Sequence, residues 1–129
     1  MIYFAVLKLK TKWFNKWAKK NSISDDTLLK TLEAISDNLN VVNLGGGLYK
    51  VRTPRIGQGK SSGYRTLVVY REMDRAIFVY GFSKAERDNL DTKELGYFKK
   101  LAKDLLQIST EEFLRQEELG NFFSLEEKK

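Results

Sequence analysis

Between Tyr64 and Phe82 the chain carries two runs rich in β-branched and aromatic residues, Tyr64 to Arg71 and Arg75 to Phe82, separated only by Glu72, Met73 and Asp74. This pattern predicts two strands joined by a tight turn around Met73 and Asp74. The first has an unbroken apolar centre, Leu67-Val68-Val69, of the kind found in buried strands, so both are expected in the middle of a sheet. A chain of 129 residues with a 42% hydrophobic fraction fills one core, and two domains are not expected.

The remaining segments supply elements to flank that sheet. Ile2 to Leu7 is apolar, β-branched and aromatic enough for a strand. Trp13, Phe14 and Trp17 with Lys16, Lys19 and Lys20 follow as a short amphipathic turn or helix, read as core packing with a solvated face. Ser24 has N-cap chemistry and places Asp25 and Asp26 in the first turn of a helix, with Leu28, Leu32 and Ile35 on one face and an end near Asn38 to Asn40. Gly45-Gly46-Gly47 could cradle a phosphate if it opened a helix. A strand follows instead, and the further spaced glycines or Lys-Ser/Thr of nucleotide loops are missing, so a flexible strand entry is expected. Helical period returns from Glu94 to Leu106 and again after a Ser109 or Thr110 cap.

Charge is concentrated. From Gly45 to Arg87 nine basic residues (Lys50, Arg52, Arg55, Lys60, Arg65, Arg71, Arg75, Lys84, Arg87) stand against three acidic ones (Glu72, Asp74, Glu86), a local excess equal to the whole chain's net +6. Such a local excess is what an electrostatic footprint for nucleic acid requires. Lys50 and Arg52 alternate with Tyr49, Val51 and Thr53, so in a strand the two cations share a face. Residues 54–63 form a Gly/Ser-rich basic loop that cannot fill a core and could clamp a substrate through Arg55 and Lys60. From Asp104 onward the balance reverses to −4. The chain has no cysteine and no histidine, which removes disulfides, thiol nucleophiles, thiolate or imidazole metal sites and imidazole acid–base catalysis. No cofactor or metal is expected. The longest early apolar run is far short of the roughly 20 residues that span a bilayer, so a soluble, cytoplasmic protein without membrane contact is expected.

The order of elements, with Gly-Gly-Leu-x-Lys-x-Arg on one strand, a basic glycine loop, Gly-Tyr-Arg-x-Leu-x-x-Tyr on the next and a last strand closing on Tyr-Gly-Phe-x-Lys-x-Glu-Arg, resembles the RelE/ParE toxin superfamily of bacterial toxin–antitoxin modules. It looks closest to the HigB-like branch, over roughly Trp13 to Leu106. The resemblance implies an α+β, RelE-like fold: N-terminal helices packed on a four- to five-stranded, mainly antiparallel twisted sheet, plus C-terminal helices. Residues 1–106 would be the toxin domain and 107–129 an acidic helical extension of it. It further implies a ribosome-dependent endoribonuclease that cuts mRNA and is silenced by an antitoxin, often one with a helix-turn-helix DNA-binding domain. The family's cations fall on Lys50, Arg52, Arg65 and Lys84, and Arg87 matches the basic residue three further on. Ala85 stands where archetypal members have another arginine, and their C-terminal tyrosine is missing.

RNA can be cut by its own 2′-hydroxyl if a base takes the proton, charge on the phosphorane is stabilised and an acid protonates the leaving oxygen. Arg65 suits the second task, since a guanidinium is always charged and binds two phosphate oxygens at once. A lysine among Lys50, Arg52 and Lys84 could take the proton. Tyr64 and Tyr80 could stack on a base, against the plainer reading of half-buried strand packing. Two other readings stay open: a ParE-like toxin that inhibits DNA gyrase without cutting RNA, and an inactive RNA- or antitoxin-binding module. The acidic tail could screen the basic face or dock on the opposite side through Phe113, Leu114 and Phe122.

Overall fold

The computed structural model describes residues 6–54 and 63–126. Six strands form one sheet in the order β2-β3-β4-β5-β1-β6. They are β1 (Leu7–Thr11), β2 (Val41–Gly45), β3 (Leu48–Thr53), β4 (Tyr64–Arg71), β5 (Arg75–Ser83) and β6 (Phe122–Ser124). All neighbours are antiparallel except β1 and β5. Helices α1 (Lys12–Lys20) and α2 (Asp25–Ser36) pack on one face, and α3 (Thr92–Gln107) and α4 (Thr110–Glu118) on the other.

Both faces of β4 are therefore covered, as its apolar centre requires. Val68 joins Phe14, Leu28, Leu32 and Phe78 in the core under α1 and α2. Leu67 and Val69 join Leu48, Ile77, Phe98, Leu105 and Phe113 in the core under α3 and α4. The helices begin where their caps allow. The Ser24 hydroxyl accepts from Thr27 N–H at 3.2 Å, and Asp91 and Glu94 form a reciprocal capping box at the start of α3. The three glycines turn β2 into β3 with φ of +94°, +65° and +86°. At Gly47 a Cβ would stand 2.6 Å from Leu106 Cδ1, a side-chain end that can move, so it is the positive φ that calls for glycine there.

The register between β4 and β5 slips once. Leu67 pairs with Tyr80 and Val68 with Phe78, leaving Val79 as the extra residue of a bulge. Strict alternation from Phe78 would send Tyr80 and Phe82 toward α1 and α2. The bulge instead turns both to the α3 face.

Several expectations are revised. Residues 2–5 of the strand foreseen over Ile2–Leu7 lie outside the described residues, and β1 runs from Leu7 to Thr11. It tolerates a lysine in its interior because Lys10, 8% exposed, is paired with Asp25 at 2.8 Å. β2 was unforeseen. The acidic segment ends in a strand: β6 pairs with β1 at the sheet edge, and Phe113 is fully buried on the same face as α3. Among the described residues no acid of the tail pairs with a basic residue of β3 or β4, and its aromatic side chains complete the α3 core instead of docking on the opposite side. No helix among the described residues is long and apolar enough to cross a membrane.

If the tail is integral to the core, Phe113→Ala destabilises the protein by about 3–5 kcal/mol, the usual cost of deleting a fully buried phenylalanine. Chemical denaturation reads the loss. A midpoint within error of wild type would mean that the tail is dispensable.

Candidate phosphate-binding site

The cations predicted on β3 and β4 come together on the α3 face, at the end of the two strands away from the β4–β5 turn. Pairing builds two rows across the strands: Lys50, Leu67 and Tyr80 in one, and Arg52, Arg65 and Phe82 in the next. Arg52 and Arg65 are thus directly opposite each other on neighbouring strands. Like charges so placed repel. Among the described residues neither has an acidic partner. Arg65 Nη1 is shielded from solvent and has no hydrogen-bond partner among the described residues. A buried guanidinium nitrogen left unpaired is costly, and an anion supplies the acceptors it lacks.

Behind this pair the sheet is braced by hydroxyls. Thr53 and Thr66, the next residues along each strand, point to the other face and are fully buried. Thr31 of α2, Thr53 and Thr66 form a chain at 3.2 and 3.1 Å that ends on the Val51 carbonyl. Buried hydroxyls satisfied in this way hold the backbone under the arginines in one geometry.

The segment after β5 folds along the rim. Lys50 Nζ donates to Asn89 Oδ1 at 3.0 Å, which leaves its charge unneutralised. Arg87 lies 5.4 Å over the Phe82 ring and donates to both Glu94 oxygens and to the Asn89 carbonyl. Its charge is compensated where it stands. Hydrogen bonds from Arg87, then from the Asp91 backbone, pull the Glu94 carboxyl down to about 2, and the same pairing raises the Arg87 guanidinium. Lys84 is exposed in the turn after β5, and its backbone N–H donates to the Gly63 carbonyl at 3.3 Å, beside the exit of the basic loop.

Other basic residues of the segment serve elsewhere. Arg71 and Arg75 both pair with Asp74 at the opposite end of β4 and β5. Burial alone would raise the Asp74 carboxyl, but hydrogen bonds from the two arginines outweigh it and the carboxyl is lowered. Arg75, 4% exposed, also caps α3 through the Leu105 and Ile108 carbonyls. Tyr64 lies on the α1 face, 4% exposed, edge-on to Trp17, so it is not with the cations. Tyr80 is on the cationic face. Arg55 and Lys60 lie outside the described residues. Asn89, Glu94, Phe82 and the threonine chain were missed by the sequence reading; only the Asp91–Glu94 capping spacing could have pointed to any of them. The described residues contain no cluster of three or more His, Cys, Asp or Glu able to hold a metal.

The sheet, with helices on both faces, thus carries at one end of β3 and β4 the adjacent cations Lys50, Arg52 and Arg65, none with an acidic partner among the described residues. The family model of the RelE toxin of the RelE/RelB toxin–antitoxin system matches residues 7–125, and the chain belongs to that toxin family. Its partner is accordingly an antitoxin. No curated protein gives a significant match.

The Arg87–Glu94 pair makes an acid-sensitive prediction. With its folded pKa lowered, Glu94 stabilises the native state above its ordinary value near 4.5, and that contribution disappears as pH falls through about 2. Glu94→Gln keeps a capping side chain but loses the charge. The gap in thermal midpoint between wild type and variant is therefore constant at neutral pH and closes between pH 4.5 and 2. A pH-independent gap would refute the assignment.

Proposed function

We propose that the protein is a ribosome-dependent endoribonuclease that cuts mRNA by attack of the 2′-hydroxyl on the adjacent phosphate and so inhibits translation. The observation that carries this reading is the opposed pair Arg52 and Arg65, with a guanidinium nitrogen that is buried and unpaired among the described residues. Side-by-side arginines without an acid are unfavourable in the free protein and become favourable around an anion. They are suited to hold the non-bridging oxygens and to oppose the charge that builds up on the phosphorane.

In the reaction the 2′-oxygen loses its proton and bonds to phosphorus, the bond to the 5′-oxygen breaks, and that oxygen takes up a proton. The products are a 2′,3′-cyclic phosphate and a free 5′-hydroxyl; no water and no redox partner is consumed. The reading gives Arg65 and Arg52 to the phosphate and the proton transfers to the rim lysines Lys50 and Lys84. Arg87, held by Glu94, positions the rim and contributes through Phe82. Arg55 and Lys60 of the basic loop grip the flanking RNA. Without a histidine for proton transfer, activity depends on the ribosome to orient the mRNA, and free RNA is a poor substrate. The reading puts the protein in the cytoplasm, with an antitoxin that carries a helix-turn-helix DNA-binding domain.

Toeprinting of a defined mRNA on programmed ribosomes tests this. Wild type cuts; Arg65→Ala loses about 100- to 1,000-fold in rate, the scale for removing a transition-state donor. Arg65→Lys does not restore it, because an ammonium lacks the two-pronged geometry. Lys84→Ala is impaired. Arg65→Met melts at or above the wild-type temperature, since it removes a repulsion and an unpaired nitrogen. Cleavage unchanged in Arg65→Ala would remove the arginine pair from the active site, and no cleavage by wild type would end the ribonuclease proposal and direct attention to DNA gyrase.

A further inference from the structure

Strand β5 continues past its last pairing with β1, at Lys10 and Phe78, and α1 lies against the extension. Trp17 covers Gly81 so closely that a Cβ there would stand 2.3 Å from its ring. Trp13 stacks on Tyr80, centroids 4.7 Å apart and planes 27° apart. Tyr80 also meets Phe98 of α3 at 4.8 Å, and Phe98 meets Tyr97 edge-on at 5.1 Å. Four rings thus form one run beside the cationic rows, with Tyr80 two residues along β5 from Phe82, the partner of Arg65.

The two ends of this run are open. Trp13 is 47% exposed and Tyr97 64%. Each exposed ring has cations one helical turn away, Lys16 from Trp13 and Lys93 and Lys100 from Tyr97, all exposed. α1 carries four lysines and no acid. The nearby acid on α3, Glu94, is committed to Arg87. An aliphatic patch would suit a protein partner. Rings flanked by lysines at the edge of a phosphate site suit single-stranded nucleic acid, whose bases stack on any aromatic face while its backbone follows the charge.

We propose that Trp13 and Tyr97 are base-stacking positions that hold unpaired RNA bases beside the phosphate bound at Arg52 and Arg65. The inference rests on the ribonuclease reading and adds two residues from helices on opposite faces of the sheet. They act as positioning residues, so their loss weakens binding and raises KM, whereas loss of Arg65 lowers kcat.

The test is fluorescence anisotropy of an end-labelled single-stranded RNA decamer of adenines, in low salt, against the same strand annealed to its complement. The intact protein binds the single strand more tightly than the duplex. Trp13→Leu and Tyr97→Leu, which keep an apolar side chain, each lose about tenfold in affinity while still unfolding in one cooperative thermal transition above the assay temperature. Trp13→Phe keeps most of the affinity. Equal binding by Trp13→Leu and wild type, equal binding of duplex and single strand, or no binding by wild type each overturns the proposal. So does intact RNA binding combined with lost antitoxin binding, which would give the patch to a protein. Absence of mRNA cleavage by the wild type on ribosomes would instead remove the ribonuclease reading, a failure visible separately from that of the stacking positions.

Discussion

Strand β4 is paired along both edges and covered on both faces, and the other elements take their places from it. Its partners β3 and β5 span nearly its whole length. Val68 and the alternating Leu67 and Val69 anchor two separate cores, one under each pair of helices. A strand held on four sides has almost no freedom to shift register. Its first residues can therefore bear a side chain in an unfavourable setting, and Arg65 stands there, opposite Arg52.

The cost of that setting is met by neighbours of different kinds. Apolar burial along β4 and β5 supplies most of the stabilisation. The threonine chain from Thr31 to Thr66 prevents the two arginine-bearing strands from separating at that end. Partly buried ion pairs fasten the periphery: Lys10 and Asp25 join β1 to α2, and Asp25 also accepts the Glu126 N–H, so one carboxylate ties both ends of the described chain together. Arg75 does similar work at the far end, where it joins the β4–β5 turn to the end of α3. These cations are structural because each has its acceptors. The Arg52–Arg65 pair is set apart by having none among the described residues, the pattern expected where stability is given up for a ligand.

The bulge at Val79 links the sheet to the aromatic run. By reversing the direction of Tyr80 and Phe82 it places both rings beside the arginines, where Phe82 supports Arg87 and Tyr80 receives Trp13. One extra residue in β5 thus joins an apolar surface to a charged one. Helices from the two faces, which otherwise share no core, meet at that edge.

Much of this was legible in the chain itself. The apolar centre of β4, the Ser24 and Ser109 caps and the alternation that puts Lys50 and Arg52 on one side depend on residues within a few positions of each other, and local sterics and hydrogen bonding decide them. The order of motifs was enough to suggest the family. Tertiary structure alone decided which of nine basic residues are available: Arg71, Arg75 and Arg87 have carboxylate partners three, one and seven residues away, whereas Lys30 and Glu33, also three apart, form no pair. It alone sent Tyr64 into the α1 core and Tyr80 to the cationic face, because a bulge is set by the packing of two strands and leaves no mark in the alternation of one. It also made the C-terminal segment a sheet edge, since pairing β6 with β1 joins residues more than a hundred positions apart, a contact that no local pattern encodes.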